Sequence, residues 1–100
     1  MAEKFSTWDP VDELKTEEDM ALYLDACLVD DPGDGSLIRA ALNDISRARG
    51  MSQLARDTGI SREGLYRALG ADGNPEFSTV LKVIKALGLR LHAEPAHTQS

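Results

Sequence analysis

The chain has a single cysteine, Cys27, in 100 residues, so no disulfide framework holds it together, and a reducing, cytoplasmic setting fits. It has no run approaching the roughly 20 apolar residues that cross a bilayer. Its first residues show no basic stretch followed by an apolar one, which argues against a secretory signal. It has no GxGxxG and no phosphate-loop sequence. His92 and His97 have no ligand-spaced Cys or His cluster around them. No cofactor is expected and no metal. Cys27 sits on an apolar helical face and reads as core, not as a nucleophile. An enzyme is therefore poorly supported. A chain of this size makes one domain and buries about 60–70% of its unfolded surface, so a partner or a second copy would help it.

A basic excess is also missing. The net charge is −6, which weighs against nucleic acid until its distribution is read. Residues 1–34 hold eleven acidic and two basic side chains, a balance of −9; residues 35–100 hold nine basic and six acidic, +3. Potential at the contact face, not the total, governs approach to DNA.

Along the chain, residues 1–15 read as a polar N-terminal arm containing Phe5 and Trp8, residues 16–93 as the domain, and residues 94–100 as a disordered tail. Thr16 is positioned to cap a first helix whose opening turn holds Glu17, Glu18 and Asp19, favoured there by the helix dipole. Met20, Leu24 and Leu28, with Ala21 and Cys27, make its apolar face. Asp30 to Gly35 (DDPGDG) is a loop. Its carboxylates lack the twelve-residue calcium-loop order. Ser36 is expected to cap a second helix, whose face is Leu37, Ile38, Ala41, Leu42, Ile45 and Ala48. Arg47 and Arg49 lie near its end and Gly50 stops it.

Residues 52–69, SQLARDTGISREGLYRAL, carry the functional signal. They predict two short helices joined by a tight turn. Ser52 caps the first. Leu54 and Ala55 face inward, Gly59 supplies the positive φ of the turn, and Ile60 fills the angle between the helices. Ser61 caps the second, which Leu65 and Leu69 anchor. The outer side of that helix is left to Arg62, Glu63, Tyr66 and Arg67. A further turn, GADGNP, leads to a last helix begun by Asn74–Pro75, with Phe77, Val80, Leu81, Ile84 and Leu87 inward and Lys82 and Lys85 outward. Leu89 to Ala93 alternate apolar and polar, a short strand signal.

A helical hairpin with a glycine turn also occurs in proteins that bind no DNA. The Ala55–Gly59 spacing, the Ser61 cap and the exposed Arg62 favour a helix-turn-helix that enters the major groove. Arg62 can donate two hydrogen bonds to guanine, Glu63 can accept from cytosine, Tyr66 can pack on a thymine methyl or bond phosphate, and Arg67 can reach a base or the backbone. Ser52, Gln53, Arg56, Lys82 and Lys85 are the phosphate candidates.

With these residues in hand, the chain resembles the addiction-module antidote proteins, small relatives of HigA-type antitoxins in the Cro/cI helix-turn-helix superfamily. The resemblance covers about residues 9–93. It rests on FSTWDPVDELKTEEDMALYLDACLVD, GDGSLIRAALNDISRARGMSQLARDTGISREGLYRAL and GNPEFSTVLKVIKALGLRL. It implies an all-α, five-helix, lambda-repressor-like domain with a short C-terminal extension. It implies structural roles for Ala55, Gly59 and Leu65, and base reading by Arg62, Glu63 and later Arg67. Many Cro/cI proteins carry Gln where Met51 stands, which leaves Ser52 and Gln53 to meet phosphate. The function implied is that of a dimeric, DNA-binding antitoxin. It would neutralise a RelE/ParE-like, HigB-type toxin and repress its own operon. Two alternatives are a stand-alone prophage-type repressor and a protein-interaction module with little DNA binding of its own.

Overall fold

The computed structural model describes residues 9–96; Phe5, Trp8 and His97 lie outside them. A short 3-10 helix, Pro10–Glu13, precedes five α-helices: α1 (Glu17–Asp30), α2 (Ser36–Arg49), α3 (Met51–Thr58), α4 (Arg62–Leu69) and α5 (Phe77–Ala86). The fold is all-α and five-helical, a Cro/cI-like helix-turn-helix domain. α2 is its centre. The 3-10 helix, α1, α3 and α4 all pack against it, and α5 packs against α3.

Local sequence explains each helix start. Thr16 caps α1 in a reciprocal box: its hydroxyl accepts from the Asp19 N–H at 3.0 Å, and the Asp19 carboxylate accepts from the Thr16 N–H at 3.1 Å. The expected cap of α2 is different. Ser36 is the first residue of the helix, and Gly35 precedes it with φ 81°. The cap is Asp31. One carboxylate oxygen accepts from Leu37 and Ile38 at 2.9 and 3.2 Å. The other accepts from Gly33 and Gly35 at 2.8 and 2.9 Å. The loop's acidity thus serves the free N–H groups of a helix end.

Two other helix starts also depart from expectation. α3 begins at Met51, with Gly50 (φ 112°) as the only link from α2, so Ser52 lies inside the helix and does not cap it. A side chain at Gly50 would disfavour that backbone, and the one-residue link leaves no room for a separate cap. α5 begins at Phe77 after Glu76, so Asn74–Pro75 belongs to the preceding irregular segment.

The core contains Met20, Leu24, Cys27, Ala41, Leu42, Ile45, Met51, Leu54, Leu65, Leu69, Val83, Ile84 and Leu87. Leu14, from the expected arm, joins it. Leu37, Ile38, Ala48, Ala55, Ile60, Val80 and Leu89 pack on its edge. Four expected inward residues are not inside. Leu28 and Ala21 on α1 are exposed, because the buried stripe runs Met20–Leu24–Cys27. Phe77 is 69% exposed and Leu81 43%. The inward face of α5 is Val80, Val83, Ile84 and Leu87, one turn beyond Phe77.

The expected C-terminal strand is absent among the described residues. After α5, Gly88 turns the chain with φ 79°, and the Leu89 N–H returns to the Ile84 carbonyl at 3.1 Å. From Arg90 to Ala96 no backbone pairing follows among the described residues. An alternating segment without a second edge has no ladder to join.

Side chains tie the helices together at their ends. The Tyr23 hydroxyl donates to Asp44 at 2.7 Å, and Arg47 donates to the other Asp44 oxygen at 2.9 Å. Burial, then that hydrogen bond and the Asp44 charge, push the Tyr23 phenol up from its ordinary value. Arg39 donates to the Leu69 carbonyl at 2.9 Å, and Arg49 to the Leu87 carbonyl at 3.3 Å. Both place a cation at the negative end of another helix.

The Asp31 carboxyl is held below its ordinary value. Partial desolvation opposes the shift, but the N–H groups of Gly35, Gly33, Ile38 and Leu37 outweigh it. A depressed aspartate contributes stability above its unfolded pKa of about 3.9, and loses it as pH falls through the folded value. Asp31→Ala is therefore expected to melt below wild type at pH 7, with the gap closing below about pH 4. A gap of equal size at pH 7 and pH 3, followed by circular dichroism, would contradict this capping role.

Candidate nucleic-acid interface

α3 and α4 make the helix pair expected over residues 52–69. Gly59 ends α3 with φ 77° and ψ 8°, and its N–H bonds the Ala55 carbonyl at 2.9 Å. An L-residue pays roughly 1–2 kcal/mol in that left-handed region. Thr58 completes the turn: its hydroxyl donates to the Leu54 carbonyl at 2.8 Å and accepts from the Ile60 N–H at 3.1 Å. Ile60 is half-buried against the core. The Ser61 hydroxyl then accepts from the Gly64 N–H at 2.9 Å, capping α4.

The two sides of α4 differ sharply. Leu65 and Leu69 are fully buried, while Arg62, Glu63, Tyr66 and Arg67 are exposed. Those four residues stand at spacings one, four and five, a single outward stripe over two turns. The Arg62 guanidinium lies over the Tyr66 ring, 5.8 Å from its centroid. This cation–π contact orders a long side chain at the exposed start of the helix.

On α3, Ser52, Gln53 and Arg56 are exposed. Gln53 and Arg56 are joined: Arg56 donates to the Gln53 carbonyl oxygen at 2.8 Å, and the Gln53 amide donates to Asp57 at 2.9 Å. Met51, at the position where many Cro/cI proteins carry Gln, is buried. Lys82 and Lys85 are exposed on α5, the helix that packs on α3. The structure therefore brings the four α4 residues onto one stripe and the Gln53–Arg56 pair onto the neighbouring helix. The two lysines stand on a third element. Among the described residues, none of Arg56, Arg62, Arg67, Lys82 and Lys85 makes an ion pair. The cations that make ion pairs among the described residues are Arg47 and Arg49, in the last turn of α2.

Sequence reasoning missed Arg39. Its bond to the Leu69 carbonyl fixes the C-terminal end of α4 from α2. A lone arginine in the first turn of a helix gives no local signal of this; only the packing of α4 on α2 reveals it. Gly73 was also missed. A Cβ there would collide with the Ala68 carbonyl, so the chain leaves α4 by a path open only to glycine.

Elsewhere the chemistry is spare. Burial, then the nearby Asp30, Asp44 and Asp31 charges, raise the Cys27 thiol, which disfavours the thiolate a nucleophile needs. Among the described residues no group of three or more His, Cys, Asp or Glu could hold a metal ion. No helix there is long and apolar enough to cross a membrane.

Ser61→Ala is expected to cost about 1 kcal/mol by freeing the Gly64 N–H, and Ser61→Asp to retain most of the stability. Urea unfolding at constant m-value measures both. An alanine variant as stable as wild type would remove the cap from this account.

Residues 4–95 match the family described as "Probable addiction module antidote protein". A Haemophilus influenzae protein, described only as an uncharacterized protein, is 51% identical over 94 residues, covering 94% of this chain and 95% of its own length. No solved structure matches. With the helix-turn-helix in place and nearly the whole chain matched, the protein belongs to the addiction-module antidote family.

Proposed function

We propose that the protein is a sequence-specific, double-stranded-DNA-binding antitoxin of a type II toxin–antitoxin system. It neutralises a RelE/ParE-like, HigB-type toxin and represses its own operon from the cytoplasm. One observation carries the DNA half of this reading: α4 is wholly buried on one side and presents Arg62, Glu63, Tyr66 and Arg67 on the other. The family supports the antidote half.

In this reading Arg62 and Arg67 meet guanine edges or backbone. Glu63 selects cytosine while repelling phosphate, and Tyr66 packs on a thymine methyl or bonds phosphate. Ser52, Gln53, Arg56, Lys82 and Lys85 position the domain on the phosphates. The Arg62–Tyr66 contact supports a base-reading role, since an arginine already ordered loses less freedom on docking. Among the described residues these five cations make no ion pair, which also favours it, because no carboxylate there has to be displaced. The modest charge of the domain gives a monomer little affinity for random DNA. Two copies on a two-fold operator, with half-sites about one helical turn apart, would supply the rest.

The test is binding of the purified protein to its own upstream DNA and to scrambled DNA at one salt concentration. Arg62→Ala is expected to lose about 1–3 kcal/mol of discrimination, while Lys82→Ala weakens both DNAs alike and flattens the salt dependence. Equal losses on both DNAs from both variants would remove Arg62 from base reading. Wild type without selectivity would leave a protein-binding module.

A further inference from the structure

The outward face of α1 takes no part in the core or in the interface described above. Leu22 is 66% exposed and Val29 75%. With the exposed Ala26 they stand at spacings four and seven, an apolar stripe along the helix. Isolated exposed apolar residues are ordinary, but this stripe continues around the helix. Leu22, Asp25 and Leu28 line one wall of a groove of about 340 Å³, and Leu89 and Leu91 line the other. Leu28 and Leu91 are themselves 39% and 38% exposed. The apolar surface is bordered by Glu18, Asp25 and Asp30, and α1 holds five carboxylates and no basic residue. The opposite wall of the groove bears Arg90 and His92. The helix is held fast beneath this face by the Thr16–Asp19 box and the Tyr23–Asp44 bond.

Charge decides what can cover the stripe. DNA cannot, because its phosphates would face carboxylates. A second copy is disfavoured, since a two-fold contact centred on the stripe sets the same acidic residues of both copies against each other. A basic protein surface with its own apolar patch satisfies both features. The carboxylates speed its approach, and burial of Leu22 and Val29 holds it.

We infer that the outward face of α1, Leu22, Asp25 and Val29 with the groove beside Leu91, is the docking surface for the basic cognate toxin. The inference rests on the antitoxin reading and deepens it. The surface shares no residue with the α4 stripe.

The experiment titrates the full chain with the purified basic protein encoded beside it, by calorimetry and by stopped-flow association. Leu22→Glu/Val29→Glu is expected to weaken binding by about tenfold or more, with an unchanged melting midpoint and unchanged operator binding. Asp25→Lys is expected to slow association with little effect on dissociation, a difference that shrinks at high salt. Should the double variant melt early, Leu22→Ala and Val29→Ala, which add no charge, replace it with the same direction of effect. A folded variant that binds the toxin as wild type does overturns the surface while leaving the antitoxin reading intact. Failure of wild type itself to bind the neighbouring protein overturns both.

Discussion

Burial of one face of α2 against its neighbours is the constraint from which the rest of the molecule follows. Ala41, Leu42, Ile45 and Ser46 are completely or almost completely closed to solvent. The 3-10 helix, α1, α3 and α4 all meet on that helix. Removing a buried leucine side chain costs about 2–5 kcal/mol, against a total of about 5–15 kcal/mol for a domain. A helix of eight residues such as α4 is too short to be stable alone. It exists because Leu65 and Leu69 are buried and because Arg39 of α2 holds its last carbonyl. The helix that faces outward is therefore positioned from α2 as well as from the turn before it.

Glycine and carboxylate chemistry set the joints of this frame. Gly50 links α2 to α3 in one residue and Gly59 links α3 to the α4 cap, each at positive φ. Asp31 gathers four N–H groups, two in the loop and two in the first turn of α2. The DDPGDG loop, dense in charge, is thus satisfied by its own backbone. The same acids leave the N-terminal third strongly negative, while Arg56, Arg62 and Arg67 of the helix-turn-helix make no ion pair among the described residues.

Much of this was legible in the sequence, for a physical reason. The elements read correctly, such as the Thr16 cap, the Gly50 stop, the Gly59 turn, the Ser61 cap and the Leu65–Leu69 anchor, are all local. A residue type and its immediate spacing suffice to specify them. The misreadings are tertiary or concern which of two adjacent stripes is covered. Leu28 and Phe77 fit a helical period as well as Cys27 and Val83 do; only the neighbours present at each position decide between them. Ser36 and Ser52 are good caps by type. A carboxylate five residues before Ser36 and the one-residue link before Met51 displaced them. Leu14 was hidden by a polar neighbourhood, and Arg39 by the distance in sequence to the carbonyl it meets, thirty residues on.

The exposed apolar positions on α1 follow the same logic in reverse. Had Leu22 and Val29 been needed for folding, they would lie in the core, as Met20 and Leu24 do. Instead the same helix carries a buried stripe on one side and an exposed one on the other. Leaving Val29 three-quarters exposed brings no folding stability, and an acidic rim makes collapse of one copy onto another unfavourable. A surface that is apolar enough to bind and charged enough to refuse its own kind is suited to a single class of visitor. On the same domain α4 presents Arg62 and Arg67, so the acidic apolar stripe of α1 and the cationic stripe of α4 are separate surfaces.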